Sequence, residues 1–320
     1  MANVLVTGGL GVNGAWVTRK LVERGHHTVV VDTGTDRALI GRAAASAIVL
    51  VNGDIGDLDM LLATCHQHRI THVVHMAAMI GGIQEQLRRA FEVNASATVT
   101  VLEAAAQSGV ERFVYTSSRA VYGDITGRQA HPHYEPITED QPLRPIRVYD
   151  VCKVASEGVG RNYAASRGLS FVALRFAHIV GPGKSDSHEG FSLMTRMIEY
   201  ARTGREVVVP RGGEQRDDVI YVDDVAEGIL LALFKDKPKF DAYNISRGVG
   251  TTLHDFADAI RASIPAARIE IGPGLDYHGM GANYTGIMDN TRAREDLGFE
   301  PRYDLARAVM HYLEVVNSGR

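Results

Sequence analysis

Short valine-rich runs alternate along this chain with stretches whose apolar residues recur every three or four positions. Val4-Leu5-Val6-Thr7, Thr28-Val29-Val30-Val31, Ala47-Ile48-Val49-Leu50-Val51, Thr71-His72-Val73-Val74-His75, Arg112-Phe113-Val114-Tyr115-Thr116 and Phe171-Val172-Ala173-Leu174-Arg175 have the length and β-branched content of buried strands. Between them the spacing turns helical. It does so in Ala15 to Val22, from near Asp57, in a long segment carrying Phe91, Val93, Val99, Val101 and Leu102, and around Tyr149 to Lys153. This alternation predicts a parallel sheet covered by helices on both faces, a doubly wound α/β fold of the Rossmann kind.

After the sixth run the composition turns to glycine, proline and serine from Gly181 to Gly190, as expected of a chain leaving one lobe for another. Residues 216–221 and the helix from Val222 read as a return. Helices near Leu253 to Ile264, Asn290 to Leu297 and Leu305 to Val316 read as a smaller C-terminal α/β lobe that receives substrate. The expected division is 1–176 with 216–245 for the dinucleotide-binding domain, and 177–215 with 246–320 for the substrate lobe. The proline-rich segment His131 to Pro145 reads as a loop over the site.

Candidate chemistry collects where strands end. The first strand runs into Gly8-Gly9-Leu10-Gly11-Val12-Asn13-Gly14 and then a helix. Glycines tolerate the tight turn and leave room for a pyrophosphate to approach the backbone, while the helix start offers unpaired N–H groups. Gly8, Leu10, Gly11, Val12 and Gly14 are therefore candidate cofactor contacts. Asp32 closes the second strand eighteen residues beyond Gly14, where a dinucleotide-binding unit places the acid that holds the ribose hydroxyls. Its charge would repel a 2′-phosphate, which favours NAD over NADP.

Asp54, followed by Ile55, either accepts from the adenine amine or caps the helix that starts near Asp57. Ala77 and Ala78 are small enough to line the nicotinamide ribose. His75 reads as a packed strand histidine. Asn94 either bonds a neighbouring loop or faces the cofactor, and the fifth strand delivers Ser117 and Ser118 to the same end of the sheet.

Four residues apart on one helix, Tyr149 and Lys153 point to the same side. A phenol with pKa near 10 is a poor base at neutral pH, but a nearby ammonium and an oxidised nicotinamide both favour the phenolate. Tyr149 is then placed to take the proton of a substrate hydroxyl while hydride leaves for the nicotinamide, with Ser118 holding the same oxygen.

Composition narrows the class. The 320 residues are 45% hydrophobic and 22% charged, as in soluble globular proteins, and the net charge of −4 provides no basic field for nucleic acid or anionic lipid. The apolar runs are strand-length, and nothing reads as a membrane span or signal peptide. Cys65 and Cys152 are too few for a disulfide framework and wrongly spaced for zinc, so no metal is expected and a reduced, cytoplasmic setting is.

Over nearly its whole length the sequence resembles the extended short-chain dehydrogenase/reductases, in particular the NAD-dependent epimerase/dehydratase group. The resemblance rests on the Thr7 to Gly14 turn, Asp32, Asp54, His75 to Ala78, Ser117-Ser118 with Val121-Tyr122-Gly123, and Tyr149 with Lys153. It continues through Leu174-Arg175-Phe176, Gly181-Pro182-Gly183, Arg216-Asp217 with Tyr221 to Ala226, Tyr243-Asn244-Ile245 and Leu297 to Pro301. It implies a Ser118, Tyr149, Lys153 catalytic trio and a C-terminal lobe closing over substrate. It also implies a homodimer paired through the helices Gln84 to Gln107 and that of Tyr149.

Three departures from the group's pattern concern substrate. Ser118 is followed by Arg119-Ala120 and not by the acids of the dehydratases, which argues against water elimination. His178 stands where nucleotide-sugar enzymes carry an asparagine on the diphosphate. Arg216 matches one phosphate arginine, while a second has no counterpart in Gly272 to Gly279. The leading expectation is a nucleotide-sugar epimerase, with His178 and Arg216 joining Ser118 and Tyr149 on the substrate. The alternative is an NAD-dependent dehydrogenase of a smaller hydroxylated substrate. A non-catalytic dinucleotide sensor has no use for the trio.

Overall fold

In the computed structural model, which describes residues 1–183, 193–279 and 281–318, twelve strands and ten α-helices follow one another in chain order. The strands are β1 Asn3–Thr7, β2 His27–Asp32, β3 Val49–Asn52, β4 His72–His75, β5 Arg112–Thr116, β6 Ser170–Phe176, β7 His178–Val180, β8 Val207–Val209, β9 Asp217–Tyr221, β10 Ala242–Ile245, β11 Gly250–Thr251 and β12 Ile269–Ile271. The helices are α1 Val12–Glu23, α2 Gly41–Ala47, α3 Leu58–His68, α4 Leu87–Phe91, α5 Ala97–Gln107, α6 Val148–Arg167, α7 Leu193–Arg202, α8 Val222–Phe234, α9 Leu253–Ser263 and α10 Leu305–Asn317.

Seven strands form one sheet in the order β10-β6-β5-β4-β1-β2-β3, and every neighbouring pair is parallel. Successive strand side chains point to opposite faces, so an all-apolar strand feeds two cores. In β1, Val4 and Val6 pack on the side of Trp16, Val17 and Leu21 from α1, whereas Leu5 packs opposite with Leu61 of α3 and Leu102 of α5. A three-layer sandwich follows. The strand order reverses between β1 and β4, which opens a crevice at their carboxyl ends.

The later elements depart from the expected return in one respect. β9 does not join the large sheet; it lies beside β7 and β11 in a separate three-stranded sheet, and β10 supplies the seventh strand. β8 and β12 make a further parallel pair. The Gly181 to Gly190 stretch read as a crossing between lobes lies, from residue 184 on, outside the described residues. The helix expected over Gln84 to Gln107 is interrupted: α4 and α5 are separated by a wide π-turn over Glu92–Ser96. Among the described residues no helix is long and apolar enough to cross a membrane.

Candidate active site

At the end of β1 the glycines are dictated by sterics. Gly8 has φ of 69°, and a Cβ on it would come within 2.8 Å of Ala77 N and Cα. A Cβ on Gly14 would stand 2.1 Å from Gly8 O, so α1 starts closer to the turn than any side chain permits. Gly11 is the N-cap of α1, and no side chain closes that helix's first turn. Backbone N–H groups at Val12, Asn13 and Gly14 thus lack a side-chain cap, at the positive end of a twelve-residue helix. Asp32 shapes the same turn, accepting from Leu10 N and Gly34 N, each at 3.0 Å. A glycine cradle, a bare helix start and a strand-end carboxylate together fit a dinucleotide diphosphate and its ribose.

The remaining cofactor candidates divide into those at the crevice and those that shape it. Ala77 lies against Gly8, its N–H directed at Thr7 Oγ1 at 3.3 Å, and Ala78 follows half-buried. Asp54 is exposed; it accepts from Gly56 N and pairs with Arg89 at 3.3 Å. The cap of α3 belongs instead to Asp57, which accepts from Met60 N. The Ile55 side chain is buried in the core beside Leu61, so only its backbone is left for a ligand.

Asn94, in the π-turn, holds Met79 at both ends: Oδ1 accepts from Met79 N at 2.7 Å and Nδ2 donates to Met79 O at 2.8 Å. Of its two expected roles the structure shows the loop bond. Ser117 is buried and donates to Glu157 Oε1 at 2.6 Å, so its hydroxyl supports the site from behind. His75 is buried between the Thr7 and Thr98 hydroxyls, and burial pushes its pKa down to about 3, with the Lys153 charge adding to the effect.

Ser118, Tyr149 and Lys153 meet at the end of β5. Ser118 caps the turn over Arg119–Tyr122, its Oγ accepting from Ala120 N at 3.1 Å. Burial pushes the Tyr149 phenol up to about 12, while a hydrogen bond with Ser118 pulls in the other direction. Lys153, one turn along α6, donates to Thr116 O at 2.6 Å, and its Nζ lies 5.4 Å from the centre of the Tyr149 ring. Burial lowers the Lys153 ammonium to about 8, with Cys152 and Glu157 opposing the shift. The unliganded site therefore holds a neutral phenol beside a cation poised near neutrality, and a further positive charge is what would make it a base.

Beyond Ser118 the other two substrate candidates, Arg216 and His178, lie in different surroundings. Arg216 is exposed, its backbone N donates to Tyr134 OH, and its guanidinium makes no ion pair among the described residues. The inward position next in the chain is Asp217, which is fully buried. It binds Arg119 in a two-pronged pair, accepts from Tyr277 OH at 2.8 Å and meets His178 Nδ1 at 3.1 Å. Burial alone would raise the Asp217 carboxyl, but Arg119 and His178 hold it well below the usual carboxylate range. His178 and Arg119 thus share one carboxylate, and the Arg216 guanidinium makes no ion pair with it. The signals were an arginine directly after the strand-end serine and an Arg-Asp-Asp run, but neither shows that the two meet.

Residues 4–246 match the family model described as the NAD dependent epimerase/dehydratase family. The chain belongs to that family. This makes it an NAD-dependent enzyme of the extended short-chain dehydrogenase/reductase type. Among curated relatives of this family member are the UDP-glucose 4-epimerase of Lacticaseibacillus casei, 30% identical over 94% of this chain and 92% of that one, and that of Rhizobium meliloti, 29% identical over 95% and 94%. Among solved structures, the UDP-glucose 4-epimerase of Thermotoga maritima with UDP-glucose superposes with a TM-score of 0.84 at 26% identity, covering 99% of both chains.

Proposed function

We propose that this enzyme epimerises a nucleotide-linked sugar at a secondary hydroxyl. The observation that carries the reading is the meeting of Ser118, Tyr149 and Lys153 at the crevice beside the glycine cradle, supported by relatives that are UDP-glucose 4-epimerases along nearly their full length. When bound, NAD supplies a reversible hydride acceptor. The chain's own part is proton handling: Tyr149 removes the proton from the reacting hydroxyl and returns it to the product, Ser118 orients that oxygen, and Lys153 contributes positive charge. Gly8, Leu10, Gly11, Val12, Gly14, Asp32, Asp54, Ile55, Ala77, Ala78, Ser117, Lys153 and Tyr149 are the proposed cofactor contacts, with Asn94 acting through the Met79 loop. Residues 1–176 with 216–245 bind the dinucleotide, and 177–215 with 246–320 receive the sugar.

The buried carboxylate of Asp217 beside His178 favours a second reading, because a carboxylate there disfavours a phosphate. In that reading the enzyme is an NAD-dependent dehydrogenase of a smaller hydroxylated substrate. Purified enzyme incubated with UDP-, GDP- and dTDP-sugars, followed by NMR of the sugar and absorbance of NADH, separates the two. Epimer formation without stoichiometric NADH is the expected result. Steady NADH accumulation with an unconjugated sugar or hydroxy acid, and no binding of any nucleotide diphosphate, overturns it.

The same proposal includes a cytoplasmic homodimer, consistent with two buried, unpaired cysteines and with the exposed apolar side chains Leu87, Phe91, Val99 and Val151 on α4, α5 and α6. Sedimentation at micromolar concentration is expected to give a dimer mass. A monomer would refute it.

A further inference from the structure

Asp217 collects side chains from three distant parts of the chain, and one of them is next to a catalytic residue. Arg119 follows Ser118 directly and opens the turn over Arg119–Tyr122. That turn returns two backbone N–H groups to Ser118: Ala120 N to Oγ at 3.1 Å and Val121 N to the carbonyl oxygen at 3.2 Å. The side chain that opens the turn is anchored outside it, on a carboxylate with no solvent exposure, while Arg119 itself keeps only 12% of its side-chain surface exposed. Two parallel N–H···O bonds fix the guanidinium plane as well as its position. The other donors on Asp217, His178 Nδ1 and Tyr277 OH, come from the start of β7 and from the loop after β12.

We infer that Asp217 and Arg119 are positioning residues for the catalytic serine: the buried pair fixes the turn over Arg119–Tyr122, and the turn fixes the Ser118 hydroxyl where it faces the Tyr149 phenol. This inference rests on the reading of Tyr149 as the proton-exchanging group and adds what holds its partner in place. A buried arginine fork on a fully buried acid costs desolvation that an apolar pair of similar size avoids, so specific geometry is the natural gain.

The consequence is measurable on the tyrosine. Groups facing the phenol are Ser118 from the turn, Tyr115 from β5, and Asp150, Cys152 and Lys153 from α6; only Ser118 depends on the Arg119 turn. The test titrates Tyr149 by NMR of ring-labelled tyrosine in the NAD-loaded protein, with Tyr149→Phe assigning the signal, and needs no substrate. Ser118→Ala removes the hydroxyl that favours the phenolate and is expected to raise the Tyr149 pKa by about half a unit or more. The double variant Arg119→Met with Asp217→Leu, which replaces the ion pair by apolar side chains, is expected to raise it in the same direction and to add nothing when combined with Ser118→Ala.

Arg119→Lys keeps the charge while losing the two-pronged grip, and gives a smaller shift of the same sign should the double variant not fold. If Tyr149 titrates as in wild type in the Arg119 variants while Ser118→Ala shifts it, the inference is wrong; if Ser118→Ala itself produces no shift, its premise is wrong. Failure to epimerise any nucleotide sugar bears on the substrate proposal and leaves this titration unaffected.

Discussion

The two ends of the crevice are built by different means. At the cofactor end, every group from Gly8 to Asp32 lies within one strand-turn-helix-strand unit, and what fixes it is backbone: a carbonyl 2.1 Å from where a Gly14 Cβ would be, and a helix start without a side-chain cap. At the end proposed to receive substrate, Arg119, His178, Asp217 and Tyr277 come from four separate segments and are fixed by side chains converging on one carboxylate. Backbone-fixed sites tolerate almost no substitution at the glycines and impose the same ligand wherever they occur. Side-chain-fixed sites can be rewired one residue at a time, so specificity can change there while the chemistry between the two ends stays the same.

The largest effect expected falls between the two. Tyr149→Phe removes the hydroxyl proposed to exchange the proton and should lower turnover by roughly a hundredfold or more while leaving NAD affinity within about twofold. Near wild-type turnover would mean that another group acts as base, and the division into a cofactor end and a substrate end would lose its pivot.

Next comes the cradle. Gly14→Ala places a methyl group against Gly8 O, which the backbone must retreat from, so NAD affinity should fall by about tenfold or more and the thermal midpoint with it. Calorimetry of NAD binding reads this directly. Unchanged affinity would show that the cradle is more compliant than its contacts indicate.

These two predictions concern residues that were legible in the sequence, for a physical reason. Glycine spacing, strand-end Asp32 and the Tyr149–Lys153 pair are local patterns, and local patterns survive in a one-dimensional reading. The π-turn that bends the helix at Asn94 and the displacement of β9 into its own sheet are set by packing partners far away in sequence. Arg216 and Asp217 adjoin in the chain but differ in burial, the first exposed and the second fully buried. What the sequence does not show is the convergence that buries Asp217, whose partners Arg119 and His178 lie 98 and 39 residues away in the chain.

A third expectation uses the sheet beneath both ends. His75 is neutral when folded, with a pKa near 3 against an ordinary value of about 6.5, so its contribution to stability is complete above about pH 6.5 and is lost as pH falls through that window. His26, His68 and His72, near the amino ends of β2 and β4, shift in the same direction through burial. Asp218 opposes them: burial raises its carboxyl to about 7, so its protonation favours the folded state as the solution becomes acidic. The informative measurement is therefore a difference. Urea unfolding of wild type and His75→Gln between pH 7.5 and 5 should show a gap that narrows by about 1.4 kcal/mol per pH unit below 6.5. A constant gap would mean that His75 takes up its proton in the native protein as readily as in the unfolded chain.

The smallest effect is the one that most sharpens the comparison. If the substrate end is organised on Asp217, then Arg216, exposed and without an ion pair among the described residues, contributes little to substrate recognition in this conformation. Its stem packs near Gly250 and its backbone N–H is held by Tyr134 OH, neither of which depends on the guanidinium. Arg216→Ala should then leave kcat and KM within about twofold of wild type, because truncating an exposed side chain removes no buried charge and only a stem contact at the surface. A rise in KM of tenfold or more at unchanged kcat would show that Arg216 turns inward on a substrate anion once both ligands are bound. In that case a phosphate is held by a side chain recruited from the surface, and the carboxylate of Asp217 loses its weight as an argument for a substrate without a nucleotide.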